Sequence, residues 1–102
     1  MTAHTSTARA TAAEATRVTG TIRYWAAAKS AAGLPEEPYL AVTLGEALAE
    51  VRRRHADNAR LLQVLTHCSY LVDGNQVGTR DHATVPLTEG GTVEALPPFA
   101  GG

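Results

Sequence analysis

The sequence predicts an α+β fold in which a mixed β-sheet is packed on one face by a helix. Strand-like segments open and close the region 18–96, and the clearest helical pattern of the chain lies between them at residues 43–55. The predicted order is strand, short helix, strand, long helix, short helix, two strands, irregular loop and strand. In such an order one helix crosses the sheet and buries its apolar face.

Length and composition fit one domain with a small aliphatic core. The chain has 102 residues and 44% hydrophobic content, but only one tryptophan, one phenylalanine and three tyrosines. A chain of this length is typical of a single domain. We therefore expect a core built mainly from leucine, valine, isoleucine and alanine.

Charge and cysteine content exclude several classes of protein. Nine basic and ten acidic residues give a net charge of −1, which argues against nucleic-acid binding. The one basic run, Arg52–Arg54, ends a predicted helix, where cations complement the helix dipole. A single cysteine forms no internal disulfide, and no apolar run has membrane-spanning length. We expect a cytoplasmic protein with no membrane partner.

The first strand and first helix follow an N-terminal segment of different composition. Residues 1–17 contain no aliphatic side chain larger than alanine after Met1, so we predict a disordered Ala/Thr-rich tail. VTGTIRYWA (18–26) places Val18, Ile22 and Tyr24 on one face, and Thr19, Thr21, Arg23 and Trp25 on the other. AAAKSAA then forms a short helix that Gly33 closes. The next segment, LPEEP, is predicted as a loop, and YLAVT (39–43) as a strand.

The long helix is predicted from Thr43. Thr43 and Glu46 match a capping box, and a buried stripe follows at helical spacing. The stripe comprises Leu44, Ala47, Leu48, Val51 and His55. A further short helix is predicted over NARLLQVLT (58–66).

The remaining elements complete the sheet. SYLVDGNQV (69–77) predicts two strands around the Asp73-Gly74 turn. An irregular stretch then ends in a turn at residues 89–91, and TVEAL (92–96) is the closing strand, which two prolines terminate. A β-grasp roll is the arrangement that best fits this order.

Three segments resemble the MoaD/ThiS family of ubiquitin-like sulfur carrier proteins. They are RYWAAAKSAAG (23–33), SYLVDGNQV and the closing pattern L-x-x-G-x-x-V-x-x-L-P-P-F-A-G-G. The last pattern consists here of Leu87, Gly90, Val93, Leu96, Pro97, Pro98, Phe99, Ala100, Gly101 and Gly102. Within the family, the chain is most similar to the small subunit of molybdopterin synthase. The resemblance implies a β-grasp domain over 18–96 and an extended tail over 97–102.

The function implied by the resemblance is sulfur carriage on the last glycine. A partner enzyme of the MoeB/ThiF kind uses ATP to adenylate Gly102, and sulfur transfer then gives a terminal thiocarboxylate. The thiocarboxylate donates sulfur to a pterin precursor on a MoaE-like large subunit of molybdopterin synthase. The domain itself then has no catalytic site, no metal and no bound cofactor.

The tail residues fit this chemistry physically. Gly101 and Gly102 lack Cβ atoms and can thread a narrow channel. Pro97 and Pro98 stiffen the base of the tail, which lowers the entropy lost on insertion. We expect residues 97–101 to contact partners, and Phe99 to anchor in a partner's apolar pocket or to fold back on its own sheet.

Other functions remain open. The sulfur acceptor can instead belong to thiazole, cysteine or secondary-metabolite synthesis. The chain can also be a ubiquitin-like module that is conjugated to proteins or only binds them. A His67-Cys68 nucleophilic pair is disfavoured because neighbours on a predicted strand point to opposite faces. A metal site from His55, Asp57 and His67 is disfavoured because the spacing is not that of metal ligands.

Overall fold

The computed structural model of the chain describes residues 17–98. Its elements are β1 (Val18–Tyr24), α1 (Ala26–Ala32), β2 (Glu36–Ala41), α2 (Leu44–Arg54), α3 (Ala59–His67), β3 (Ser69–Val72), β4 (Asn75–Gln76) and β5 (Gly91–Leu96). A single 3-10 turn, His82–Thr84, lies in the loop before β5. This order agrees with the sequence prediction. No helix within residues 17–98 is long and apolar enough to cross a membrane.

The five strands form one mixed sheet in the order β2-β1-β5-β3-β4. β5 pairs in parallel with β1 and antiparallel with β3, and the two outer pairs are antiparallel. The last strand of the chain is therefore the central strand of the sheet. The predicted α+β class, with a mixed sheet covered on one face by helices, is confirmed.

Helix α2 packs on the sheet through the stripe that the sequence predicts. Leu44, Ala47, Leu48 and Val51 are buried in one cluster with strand residues such as Ile22 and Val93. The capping box is present in a shifted form. Thr43 Oγ1 accepts from the Glu46 amide at 3.2 Å, and Glu46 Oε1 accepts from the amide of Val42 at 3.0 Å. The amides of Val42 and Glu46, at the start of the helix, are thus hydrogen-bonded by nearby side chains.

The short helix α1 is bounded by two residues with left-handed backbones. Gly33 closes it at φ 79°, as predicted, and its amide donates to the carbonyl of Lys29. Ala26 opens it at φ 48°, which is uncommon for a residue with a Cβ atom. This sharp bend turns the chain from β1 into the helix. The bend lies beside the end of β5, since the amide of Trp25 donates to the carbonyl of Ala95.

The second strand differs from the prediction. It begins at Glu36 rather than at Tyr39, and it ends at Ala41 rather than at Thr43. The two prolines of LPEEP favoured a loop, but β2 is an edge strand and tolerates Pro38. Tyr24 N donates to Pro35 O, and by alternation along the antiparallel pair Pro38 faces away from β1. Its missing amide therefore removes no bond from the sheet.

The predicted Asp73-Gly74 turn joins β3 to β4 and also secures the start of β5. Both residues have positive φ, 51° and 82°, as a tight hairpin turn requires. The Asp73 carboxylate accepts from Thr88 Oγ1 at 2.7 Å and from the Thr92 amide at 2.9 Å. These hydrogen bonds hold the pKa of Asp73 below its ordinary value.

Glu37, which falls in the predicted loop, is a buried carboxylate. It faces the covered side of the sheet and accepts hydrogen bonds from Arg54 Nη1 at 2.5 Å, His55 Nε2 at 2.8 Å and the Tyr24 hydroxyl. Burial by itself raises the pKa of Glu37, but these three donors outweigh it and hold the pKa below its ordinary value. The charged carboxylate of Glu37, on β2, therefore links this strand to β1 and to the end of α2 through hydrogen bonds.

The buried face of α2 predicts a strong effect of Leu48→Asp. Leu48 is 1% exposed, so the variant places an unpaired carboxylate against the sheet. We expect a loss of about 3–5 kcal/mol in the free energy of unfolding, measured by urea denaturation. Ala56→Asp, which introduces the same group at an exposed site beyond the helix, is the control. Equal stability of both variants would show that α2 does not bury this face.

The Glu37 contacts predict a specific loss of stability in acid. A carboxyl whose folded pKa is lowered stabilises the fold above its ordinary pKa, and this contribution disappears as pH falls through the folded pKa. We expect Glu37→Gln to lose about 2–3 kcal/mol near neutral pH and to show a weaker dependence of stability on pH than the parent below about pH 5.

Glu36→Gln is the matched control for this change. Glu36 is the neighbouring residue, about half exposed, and it pairs with Arg23 at 3.3 Å. Because exposed ion pairs contribute little, we expect a change within about 0.5 kcal/mol. Denaturation curves between about pH 3 and pH 7 check both variants. If the stability of Glu37→Gln and that of the parent change with pH in the same way, Glu37 is not a buried carboxylate with a lowered pKa.

Candidate functional site

The base of the predicted tail is held at the centre of the sheet. β5 ends at Leu96, which lies opposite Ser69 of β3, and Ala95 lies opposite Tyr24 of β1. Pro97 and Pro98 follow directly, and Pro98 is exposed. Because β5 is paired on both sides up to Ala95, Pro97 and Pro98 follow from a fixed point at the end of the central strand.

The structure places only two of the predicted site residues. Pro97 and Pro98 lie where the sequence predicts them, at the end of the last strand. Phe99, Ala100, Gly101 and Gly102 lie outside the described residues. The predictions for these four remain predictions.

Among residues 17–98, no helix lies on one face of the sheet, and we call this face the open sheet face. Its residues alternate with the buried ones along each strand, and the register brings Thr21 beside Thr92 and Arg23 beside Glu94. The face consists of Thr19, Thr21, Arg23, Glu36, Pro38, Leu40, Leu71, Thr92, Glu94 and Leu96. Leu40 is 46% exposed, which is unusual for a large apolar side chain in this fold. An exposed surface of this mixed kind is suited to binding another protein.

The open sheet face meets the tail base at Trp25. The indole is 43% exposed, and its Nε1 donates to Glu94 Oε1 at 3.0 Å. Trp25 continues β1 beside the end of β5, so an exposed aromatic ring lies next to the point where the tail leaves. Sequence analysis placed Trp25 on the outward face of the first strand but did not assign it to the site. The sequence pattern does not show that the indole remains exposed, and this exposure is what marks Trp25 as a candidate site residue.

A groove lies on the other side of the tail base, and we call it the α1–α3 groove. Its volume is about 450 Å³. Ala27 contributes one wall, Pro97 and Pro98 a second, and a stripe on α3 the third. The stripe consists of Arg60, Gln63, Val64 and His67, which share one face of the helix at spacings of three and four. Sequence analysis did not predict this groove, because it depends on the packing of two separate helices.

His67 and Cys68 do not form a catalytic pair, but the reason differs from the one predicted. They are not strand neighbours: His67 is the last residue of α3, and Cys68 is the residue that follows. His67 Nδ1 lies 3.1 Å from the carbonyl of Gln63 on its own helix. Burial raises the pKa of the Cys68 thiol to about 11, so it is protonated at neutral pH.

The candidate metal ligands are also separated by their contacts. His55 is bound to Glu37 at 2.8 Å on the covered side of the sheet, whereas Asp57 and His67 are exposed. Among residues 17–98, no group of three or more His, Cys, Asp or Glu side chains is placed to hold a metal ion.

Comparison with solved structures gives clear matches, although no family model and no curated protein matches the chain. The solution structure of small archaeal modifier protein 1 from Methanosarcina acetivorans has a TM-score of 0.70 at 19% identity, over 84% of this chain and 98% of its own. Putative molybdopterin converting factor subunit 1 from Pyrococcus furiosus has a TM-score of 0.65 at 19% identity, over 80% and 99%. A chain of the complex of subunits 1 and 2 of molybdopterin-converting factor from Helicobacter pylori has a TM-score of 0.58 at 21% identity, over 83% and 100%.

The chain has the ubiquitin-like β-grasp fold. The resemblance identified in the sequence is thereby confirmed at the level of the fold, since two of the matched structures are subunits of molybdopterin converting factors. The match extends over nearly the whole length of each of these proteins.

The raised pKa of Cys68 predicts slow alkylation of the native protein. At about pH 8 the thiolate fraction is about two orders of magnitude below that of a free cysteine. We expect iodoacetamide to react with Cys68 at least about tenfold more slowly than with an exposed thiol in the same fold. Mass spectrometry over time measures the rate.

The matched control carries Cys68→Ser together with Ser30→Cys, which moves the thiol to an exposed position on α1. In urea the two proteins are expected to react alike, because unfolding removes the difference in burial. Equal rates in the folded state would show that Cys68 is an accessible, reactive thiol.

Proposed function

We propose that the protein is a sulfur carrier of the kind found in molybdopterin biosynthesis. The observation that supports this best is the continuity between β5 and the sequence L-P-P-F-A-G-G. The central strand of a β-grasp sheet ends at Leu96, and six residues closing on two glycines follow it. A partner that binds the open sheet face, which includes Leu96, is then well placed to take up Gly102 as well.

The chemistry requires activation because a carboxylate is a poor electrophile. Attack of the Gly102 carboxylate on the α-phosphorus of ATP forms an acyl adenylate and releases pyrophosphate. A donor that supplies sulfur at the level of sulfide then displaces AMP, and a thiocarboxylate remains on Gly102. The partner enzyme supplies ATP and the catalytic groups, so the β-grasp domain acts as its substrate.

Two partners are proposed, an adenylating enzyme of the MoeB/ThiF kind and a MoaE-like large subunit. The Helicobacter pylori structure, which is a complex of subunits 1 and 2 of molybdopterin-converting factor, supports the second. Both partners need the tail and the surface beside it. Trp25 supplies apolar area there, and Glu36 and Glu94 supply acidic groups around Arg23. Since the two partners share this surface, they bind in turn rather than together.

Intact-mass spectrometry of protein purified from its native host tests the proposal. A mass increase of about 16 Da in the C-terminal peptide marks replacement of one oxygen by sulfur. We expect this species in the parent and none in a variant lacking Gly102, whose thermal unfolding should match the parent. A variant lacking only Thr2 is a control for loss of one residue. Normal cofactor production by the Gly102-deleted protein would refute the carrier function.

Binding measurements test the proposal that the open sheet face and Trp25 contact the partners. Trp25→Ser is expected to weaken binding to the adenylating enzyme by about tenfold or more, because exposed tryptophans are frequent binding hot spots. Ala56→Ser, which introduces the same residue at an exposed position between α2 and α3, is the control. Unchanged affinity of Trp25→Ser in a calorimetric titration would remove this face from the interface.

The similarity to small archaeal modifier protein 1 favours one second candidate, conjugation of Gly102 to protein amines. Activation is the same in both functions, but here a lysine amine displaces AMP and an isopeptide bond results. Peptide mapping of native-host extracts separates the two. Isopeptide-linked Gly102 without thiocarboxylate supports conjugation, whereas thiocarboxylate without conjugates supports sulfur carriage.

A further inference from the structure

The α1–α3 groove presents apolar side chains at the surface of the domain. Ala27 and Pro98 are exposed on its walls, and Val64 and Pro97 are half-buried. Val64 also packs against the core from its inner side. The groove has a volume of about 450 Å³, which is in the range of cavities that bind a ligand. An apolar surface of this kind, with polar side chains around it, is typical of an interaction site.

The groove is preformed, because Asn58 joins its two helices. Asn58 Oδ1 accepts from the amide of Leu61 at 3.0 Å and so caps α3. Its Nδ2 donates to the carbonyl of Ala31, at the end of α1, at 2.9 Å. Beneath the groove, Ala28 and Leu61 are fully buried in the core. An occupant therefore meets fixed walls, and little entropy is lost in ordering them on binding.

The walls of the groove favour a helix as the occupant. Two walls are formed by helices, whose backbone groups bond mainly within each helix. The third wall is formed by Pro97 and Pro98, which have no amide hydrogen. An extended chain placed here would lose water from its own backbone groups without gaining protein partners. A helix avoids this cost, since it satisfies its backbone internally.

The two helices carry positive side chains and no negative ones. Residues 26–32 and 59–67 include Lys29 and Arg60 but no aspartate or glutamate, although the whole chain has a net charge of −1. Within residues 17–98, no carboxylate lies within 4.0 Å of the exposed Arg60 guanidinium, whereas Arg54 is paired with Glu37 and Glu50. The groove is therefore complementary to an acidic partner.

We propose that the α1–α3 groove binds an acidic amphipathic helix of a partner protein. Apolar side chains of that helix, spaced three and four residues apart, pack against Ala27, Val64 and Pro97. Carboxylates beside them pair with Arg60. The α3 stripe from Arg60 to His67 extends about 10 Å, which matches about two turns of the bound helix. Because the groove and the open sheet face lie on opposite sides of the sheet, both are accessible at the same time. This binding does not depend on the function proposed above.

A designed peptide tests the chemistry of the occupant by nuclear magnetic resonance of the full chain. The peptide has about 18 residues, with leucines at intervals of three and four and glutamates beside them. We expect saturable shifts of the methyl signals of Ala27 and Val64, and none at Leu40 on the open sheet face. The same peptide with lysine in place of each glutamate is the control, and we expect it to bind at least about fivefold more weakly. Equal affinity for both peptides, or no saturable shift at Val64, overturns the proposal.

Charge reversal at Arg60 tests the proposed ion pair. Arg60→Glu is expected to weaken binding of the glutamate peptide by about fivefold or more and to strengthen binding of the lysine peptide. Ala27→Glu, which places a carboxylate on the opposite wall, is expected to have the same effect. Arg53→Glu is the matched control, because it makes the same charge change at an exposed position on α2. Thermal unfolding checks that each variant keeps the fold. If Arg53→Glu weakens binding as much as Arg60→Glu, the effect is one of net charge and the proposed pairing is overturned.

Cross-linking in the native host tests whether a partner carries such a helix. A photo-reactive p-benzoylphenylalanine replaces the exposed Ala27, or Arg53 in the control, and mass spectrometry identifies the attached peptide. We expect a segment of another protein with apolar residues at helical spacing and acidic residues beside them, attached through position 27 and not through position 53. Attachment to a second copy of this chain, to a segment without these features, or to no protein overturns the proposal.

Discussion

Pairing of β5 on both of its edges is the constraint on which the rest of the structure depends. A strand placed between β1 and β3 cannot fray or shift register without breaking two ladders at once. Pro97, which follows it, therefore begins at a fixed position. Hydrogen bonds from the Asp73 turn secure the other end of this strand. The two ends of β5 are thus held by different contacts, the ladders with β1 and β3 at one end and the Asp73 turn at the other.

The covered side of the sheet is organised around a charge as well as around apolar side chains. Glu37 faces inward from an edge strand and is compensated by Tyr24, Arg54 and His55. These partners fix β2 and the end of α2 relative to β1, and one of them, Tyr24, lies directly opposite Ala95 at the end of β5.

Local signals in the sequence were sufficient for most of the fold. The Thr43 cap, the Asp73-Gly74 turn and the Gly33 helix stop each depend on a few adjacent residues, and the structure has each of them in place. The extent of β2 was not predictable from LPEEP, because the tolerance for Pro38 depends on the strand being at an edge. The burial of Glu37 was missed for a related reason, since its three partners come from other elements.

The candidate site was predictable only in part. The proline pair after the last strand located the base of the tail, and the alternation of Thr19, Thr21, Arg23 and Trp25 defined most of one outward row. Neither pattern indicated that Trp25 is exposed beside Glu94, nor that α1 and α3 leave a groove at Pro97. Both features follow from how separate elements pack. The assignment of His67 to a strand failed because the preceding helix continues through it.

The borders of the sheet have a consequence for how the domain meets other chains. At one border, Pro38 of β2 has no amide hydrogen, and its carbonyl accepts a hydrogen bond from Arg54. At the other border, β4 has only two residues. Neither border offers a long ladder of free backbone groups to a passing chain. Recognition by strand addition is thereby discouraged, as is self-association into fibrils at high concentration. Selectivity must then come from side chains on the broad surface of the domain rather than from its backbone.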